Sequence, residues 1–389
     1  MKKIRLLTPG PTPVPERVSL RMAQPIVHHR SPEFEEVFAR CREGLAWLFQ
    51  TRQDVVQFAA SGTGAMEASL VNFLRRGDEA IVVDAGKFGE RWGKLAKSYG
   101  VQAITLKVEW GSPVDPGKVK AALEEHPNAK AVLVQANESS TGVAHPVQKL
   151  AQITRSHPAI LVVDAISALG AFDLPFDVWG IDVMVSGSQK ALGLPPGLSF
   201  LAASEKAWKL NETADLPRFY FDLKRERDNQ RKNQTAWTPA ISLVEGLDES
   251  LKMLREEGLR ACFVRHERLA RGARAGMQAL GLQLYSKAPS AAMTTVVAPE
   301  GIDSEKLVKH LFQQYGIKLV GGQDAAKGKI FRIAHLGYFD DFDMLVVVGA
   351  VERGLKDLGA KVQLGKGLAA AQSAMAEGLL PAGSESRGG

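Results

Sequence analysis

Val183-Met-Val-Ser-Gly-Ser-Gln-Lys190-Ala-Leu-Gly-Leu-Pro-Pro-Gly197 runs from a short apolar strand through a turn of small residues into a Pro-Pro-Gly loop. Lys190 is its only charged residue. Surface lysines ordinarily stand among other charges on helix faces or loop tips. An amine held in such apolar surroundings is partly desolvated, which disfavours the ammonium form and makes it a better nucleophile. A Schiff-base lysine needs that property. A lysine snorkelling from a strand end explains this run alone about equally well, so the flanking sequence has to decide.

Working outward, apolar stretches with little alternation occur at 54–59, 80–83, 101–108, 131–135, 160–163, 181–185 and 198–202. Segments with helical spacing separate the earlier ones, at 63–74, 88–99, 114–125 and 146–155. That succession predicts an α/β fold with a mainly parallel sheet covered on both faces. Pro9, Pro11, Pro13 and Pro15 oppose helix, so residues 1–30 read as an extended N-terminal arm. Ser31-Pro32 opens a helix with Phe34, Val37, Phe38, Cys41, Leu45, Leu48 and Phe49 on one side. The polar segment 211–238 reads as an excursion from the core. A helical stretch over 239–280 leads into strands near 293–297, 317–320 and 330–333, with helices near 304–315 and 341–358. The expected organisation is an arm (1–30), a large domain (31–255), a smaller α+β C-terminal domain (256–365) and a flexible tail rich in Ala, Gly and Ser (366–389).

A chain of 389 residues with 45% hydrophobic and 24% charged residues is an ordinary globular protein, too long for one small core. The formal charge of +6 is spread without a basic tract, so no nucleic-acid partner is expected, whereas small anionic substrates suit it. Cys41 and Cys262 are too few for a disulfide framework or a metal cluster and read as packed thiols. No metal is expected. No apolar run has the length of a signal or membrane-spanning segment, so the expected setting is cytoplasmic, away from membranes.

Three further motifs carry chemistry. Ala59-Ala-Ser61-Gly62-Thr63-Gly64 joins a strand to a helix through a turn that aims backbone N–H groups and two hydroxyls at an anion. It lacks the Gly-Lys-Ser/Thr of a Walker loop, and Glu67 stands where a dinucleotide fingerprint has its third glycine. Leu161-Val-Val-Asp164 puts a carboxylate at the end of a buried strand, the edge where open parallel sheets bind ligands. It suits a metal, a ribose or a protonated ring nitrogen, or simply caps the next element. Phe331-Arg332-Ile333 sets a guanidinium in an apolar strand, where a substrate carboxylate or an internal salt bridge would satisfy it. An anion-binding helix start, a strand-end acid, a lysine after a later strand and a carboxylate-binding arginine are together the parts that pyridoxal phosphate chemistry requires.

Ser186-Gly-Ser-Gln-Lys190-Ala-Leu with Pro195-Pro-Gly197, Asn137-Glu-Ser-Ser-Thr-Gly142 and Val163-Asp-Ala-Ile-Ser-Ala-Leu-Gly170 carry a closer likeness. From Thr8-Pro-Gly-Pro to about Leu358 the chain resembles the class V, fold type I aminotransferases, specifically the alanine–glyoxylate and serine–pyruvate group. The resemblance implies a pyridoxal 5′-phosphate enzyme with Lys190 as Schiff-base lysine and Asp164 as partner of the ring nitrogen. It places Ser61, Gly62, Thr63 and Gln189 at the cofactor phosphate, Ser139 near the phenolic oxygen and Arg332 on the substrate carboxylate. Phe88 stands where well-known members carry a stacking tryptophan, with Trp92 one turn later as a weaker candidate. Thr235 matches a residue supplied by the neighbouring subunit, which implies a homodimer with shared sites, although Lys232-Asn-Gln-Thr235 lacks the tyrosine of some members.

The implied reaction is ping-pong. An amino group moves from alanine or serine to glyoxylate or pyruvate, with Lys190 shuttling the proton. Cysteine desulfurases are a rival, but they carry His before the lysine, where this chain has Gln189, and their cysteine lies in a mobile loop. A phosphonate-directed class V aminotransferase is another. A third is a non-catalytic subunit of the same fold within a complex.

Overall fold

The apolar stretches upstream of 204 pair into one seven-stranded sheet in the computed structural model, which describes residues 2–377. In spatial order the strands are Val55–Phe58, Ser199–Ala203, Val183–Gly187, Ile160–Asp164, Ala131–Gln135, Glu79–Asp84 and Gln102–Lys107. Ser199–Ala203 runs antiparallel to both neighbours and every other pair is parallel. Burial on both faces explains the apolar sequences of these strands, except at the edge strand Gln102–Lys107, none of whose residues is fully buried. Alternate residues feed opposite layers. Val163 and Met184 pack beneath the helices Pro32–Phe49 and Ile241–Glu257. Val162 and Val185 pack beneath Gly62–Phe73 and Lys87–Tyr99.

Because the central strands are parallel, their carboxyl ends lie along one edge, with Gln135 opposite Asp164 and Asp164 opposite Val185. The other edge strand, Val55–Phe58, is covered by the expected excursion. Its helix Leu223–Gln230 ends on Gln230, whose amide donates to Gln57 O at 2.7 Å and accepts from Gln57 N at 3.1 Å. That side chain imitates a missing strand and closes an exposed ladder.

C-terminally, Met293–Val297, Ile330–Ala334 and Val320–Gly321 form a three-stranded antiparallel sheet. The helical stretch expected over 239–280 is two helices, Ile241–Glu257 and Leu259–Ala279, broken where Gly258 adopts φ +84°. The strand expected at 317–320 is likewise split: Ile317–Lys318 pairs in parallel with Arg5–Leu6 of the arm, and Val320–Gly321 turns to Ile330–Ala334.

Two expectations need correction. The arm is not extended throughout: past Pro15 the proline constraint ends, and Glu16–Met22 forms a helix against Ile241–Glu257. The tail is not flexible from residue 366: Lys366–Ala376 is a helix packed on Leu259–Ala279. Small residues that suggested looseness instead permit close approach. A Cβ on Gly272 would lie 2.5 Å from Met375 Cγ, and one on Gly276 3.2 Å from Gly367 O. Residues 378–389 of that expected tail lie outside the described residues.

The start of that helix is held by buried Glu352, which accepts from Gly365 N at 2.9 Å, Gly367 N at 2.6 Å and Leu368 N at 3.1 Å. Glu352→Ala leaves these donors unpaired and should cost about 1–3 kcal/mol, read from the urea unfolding midpoint. An unchanged midpoint would refute this capping role.

Candidate active site

Lys190 follows the strand Val183–Gly187 on a turn closed by Ser188, whose hydroxyl donates to Pro195 O at 2.7 Å and accepts from Leu198 N at 3.2 Å. The arm lies over it. Thr12 Oγ1 donates to Lys190 O at 2.8 Å, and Lys190 Nζ donates to Pro9 O. Gly10 takes φ +139°, a conformation L side chains rarely adopt, and lets the backbone pass close over the end of the Lys190 side chain. Burial pushes the Lys190 ammonium down to about 8; Asp164 opposes that shift, while Arg332 and Arg91 add to it.

Asp164 ends Ile160–Asp164 and accepts from Ile166 N at 2.9 Å. Burial raises its carboxyl to about 7; the Ile166 amide, Arg91 and Lys190 oppose this and Glu138 adds to it. Beside it, Ser61 occupies the N-cap of Gly62–Phe73 without a side-chain capping bond. A Cβ on Gly187 would lie 3.0 Å from Gln189 Oε1 and 3.2 Å from Gly62 N, so the Gln189 amide and the helix start converge over Gly187. Gln189 Oε1 is buried without a partner. Thr63 Oγ1 accepts from Arg91 Nη1 at 2.9 Å.

Ser139 and Ser167 place their hydroxyl oxygens 2.5 Å apart, and Asn137 Nδ2 donates to Ser167 Oγ at 2.9 Å. Arg332 reaches in from the smaller sheet. Its Nη1 donates to Ser139 O at 2.7 Å, while Nε and Nη2 donate to Gly321 O at 3.1 and 2.9 Å. Burial lowers Arg332 to about 10, with Glu138 and Glu305 opposing. Phe88 opens Lys87–Tyr99, and its amide and that of Gly89 donate to Glu138 Oε2 at 3.1 and 3.0 Å.

The structure therefore gathers Lys190, Asp164, Ser61, Gly62, Thr63, Gln189, Ser139, Phe88 and Arg332 around one sheet edge. Thr235 is not drawn in by its own chain: its hydroxyl donates to Trp237 O at 2.6 Å, beside Gln57, Tyr220 and Glu226. Trp92 is no stacking residue, being fully buried between helix and sheet. Both cysteines are buried in helices. Two residues escaped the sequence reading. Glu138, buried within the quoted Asn137–Gly142 motif, binds the amides of Phe88 and Gly89 at the start of their helix, and Arg91 stands three residues beyond Phe88. A carboxylate among small hydroxylic residues was the available signal for the first.

The sequence profile of the class-V aminotransferases matches residues 6–337. The chain is 44% identical over 374 residues to a protein named as the small subunit of a soluble hydrogenase from Synechococcus sp., covering 95% of this chain and 97% of the other. It is 35% identical to the serine–glyoxylate aminotransferase of Methylorubrum extorquens over 96% of each. The crystal structure of the ureidoglycine–glyoxylate aminotransferase of Bacillus subtilis shares its fold with a TM-score of 0.91 at 29% identity, covering 96% of this chain and 98% of that one. The chain belongs to the class-V aminotransferase family, whose cofactor is pyridoxal 5′-phosphate.

The site fits that group. The helix start, whose N-cap side chain leaves its backbone N–H groups free, could receive a phosphate, the strand-end carboxylate a protonated ring nitrogen, and the desolvated amine an aldehyde.

Asp164 also makes a stability prediction. Its folded value of about 7 lies above the unfolded one, so its favourable contribution is complete below about pH 4 and is lost as pH rises through 7. In thermal melts without cofactor, Asp164→Asn should gain on the native chain between pH 4 and pH 8. A constant difference across that range would contradict the raised value.

Proposed function

We propose that this chain transfers the amino group of a small L-amino acid, alanine or serine, to a small 2-oxo acid, glyoxylate or pyruvate, by a ping-pong mechanism. The convergence of Lys190, Asp164 and Arg332 at one sheet edge carries this reading. Glyoxylate is in the names of both aminotransferase relatives described above, which supports it as acceptor. When bound, the cofactor supplies an aldehyde to carry the amino group and an electron sink for the breaking C–H bond.

The side chains do the rest. Lys190, with its amine value near 8, takes the α-carbon proton as a neutral base and returns it as an acid. Asp164 balances a positive ring nitrogen; that cation would draw its own value back down. Ser61, Gly62, Thr63 and Gln189 hold the phosphate, and Ser139, paired with Ser167, faces the phenolic oxygen. Phe88 stacks on the ring, though without the indole N–H of a tryptophan. Arg332 turns its fork from Gly321 O toward the substrate carboxylate. Thr235 serves the partner's phosphate site, making the enzyme a homodimer. No helix among the described residues is long and apolar enough to cross a membrane, and two buried free thiols suit a reducing cytoplasm.

A second reading, a non-catalytic subunit, draws on the name of the Synechococcus relative. A subunit freed from catalysis has no physical need to keep a desolvated amine, a buried acid and a guanidinium together.

Half-reactions decide between them. Cofactor-loaded protein mixed with L-alanine or L-serine alone should lose its long-wavelength absorbance, and Lys190→Ala should show neither that band nor turnover. Colourless protein that takes up no cofactor would favour the second reading, and an active Lys190→Ala would refute the first. Arg332→Gln should raise KM for the amino donor about 10- to 100-fold, the worth of a charged hydrogen-bonded pair. Its cofactor affinity should be unchanged; equal loss of both would place Arg332 elsewhere.

A further inference from the structure

We propose that Arg91 is a positioning residue for the phosphate end of the cofactor site, an inference that rests on the function proposed above. A phosphate ester carries about −1.5 to −2 at neutral pH, whereas a helix start offers roughly +0.5. Ser61, Thr63 and Gln189 add hydrogen bonds but no formal charge. Lys190 is committed to the aldehyde carbon, and Arg332 is tied to Ser139 O and Gly321 O at the smaller sheet. The residues assigned to the phosphate therefore leave most of its charge uncompensated.

Arg91 stands where that charge is needed. It lies half-buried on the helix Lys87–Tyr99, which packs beside Gly62–Phe73, and makes no ion pair among the described residues. Its Nη1 donates to Thr63 Oγ1 at 2.9 Å. A hydroxyl that accepts from a guanidinium keeps its own hydrogen to donate, and a cationic donor makes that hydrogen a stronger one. Thr63 is thereby turned to give a proton outward rather than to accept one. The same guanidinium lies over the Phe88 ring, 4.7 Å from its centroid. One side chain thus fixes both the hydroxyl assigned to the phosphate and the ring assigned to stacking. Its charge also reaches further in, for it is among the groups that depress both Asp164 and Lys190, against and alongside burial respectively. Lysine would keep the charge but lose the planar fork that stacks and donates at once.

The test compares pyridoxal phosphate with pyridoxal, which lacks the phosphate, each titrated into cofactor-free protein and followed by absorbance. Arg91→Gln should weaken pyridoxal phosphate binding about 10- to 100-fold, the range for a hydrogen bond to a charged group, and leave pyridoxal binding unchanged. Arg91→Lys should lose less, again only for the phosphorylated form, and supplies the comparison if the glutamine variant does not fold. Inorganic phosphate should raise the melting temperature of the native protein more than that of either variant. Equal losses for the two ligands would reduce Arg91 to a packing residue and overturn the proposal, as would unchanged affinity for both. A native protein that binds neither ligand would overturn the functional reading itself.

Discussion

Removing an amine and a carboxylate from water together is the constraint around which this structure is built. One cause moves Lys190 and Asp164 in opposite directions, the first down to about 8 and the second up to about 7. In water the two would simply be oppositely charged. In the pocket both values move toward neutral pH, so each group changes protonation at less cost than in water, and the cost of desolvation is borne by the surrounding fold. Arg332, brought down to about 10 by the same burial, completes a set of groups whose charges are all held in tension with their surroundings.

Such a pocket exists only because parallel strands end in register. Asp164 faces Gln135 on one side and Val185 on the other, so the turn that follows Val183–Gly187 emerges beside the acid. Glycines then remove what would obstruct the approach. Gly62 lies against Ile166, and Gly187 leaves room for Gln189 and the helix start. Strand pairing, rather than any strong local bond, fixes the distance between base and acid.

The sheet and its edge were legible in the sequence because burial on both faces writes itself as continuous apolar residues. Lys190, Asp164 and the Ser61–Gly64 turn were legible for the same reason, as polar residues placed where that pattern stops. Arg91 and Glu138 were not, since each draws its meaning from partners far along the chain: Thr63 for the first, the amides of Phe88 and Gly89 for the second. The helices Glu16–Met22 and Lys366–Ala376 are not legible locally, because proline density before the first and small residues in the second point away from stable helix. Tertiary contacts with Ile241–Glu257 and Leu259–Ala279 overrode both. Thr235 stands apart, with its hydroxyl satisfied by its own chain.

The pairing of Arg5–Leu6 with Ile317–Lys318 has a consequence for the order of events during synthesis. The arm leaves the ribosome ahead of the large sheet, yet the strand that anchors it is made only after that sheet. Leu7 O likewise waits for Ala334 N. Domains fold as units while the chain emerges, and a contact between distant segments waits for the later of the two. The cover over Lys190 therefore cannot be anchored before residues 317–334 have been made. A nascent chain can therefore complete the seven-stranded sheet, with Lys190 in its turn, before the arm is pinned across it.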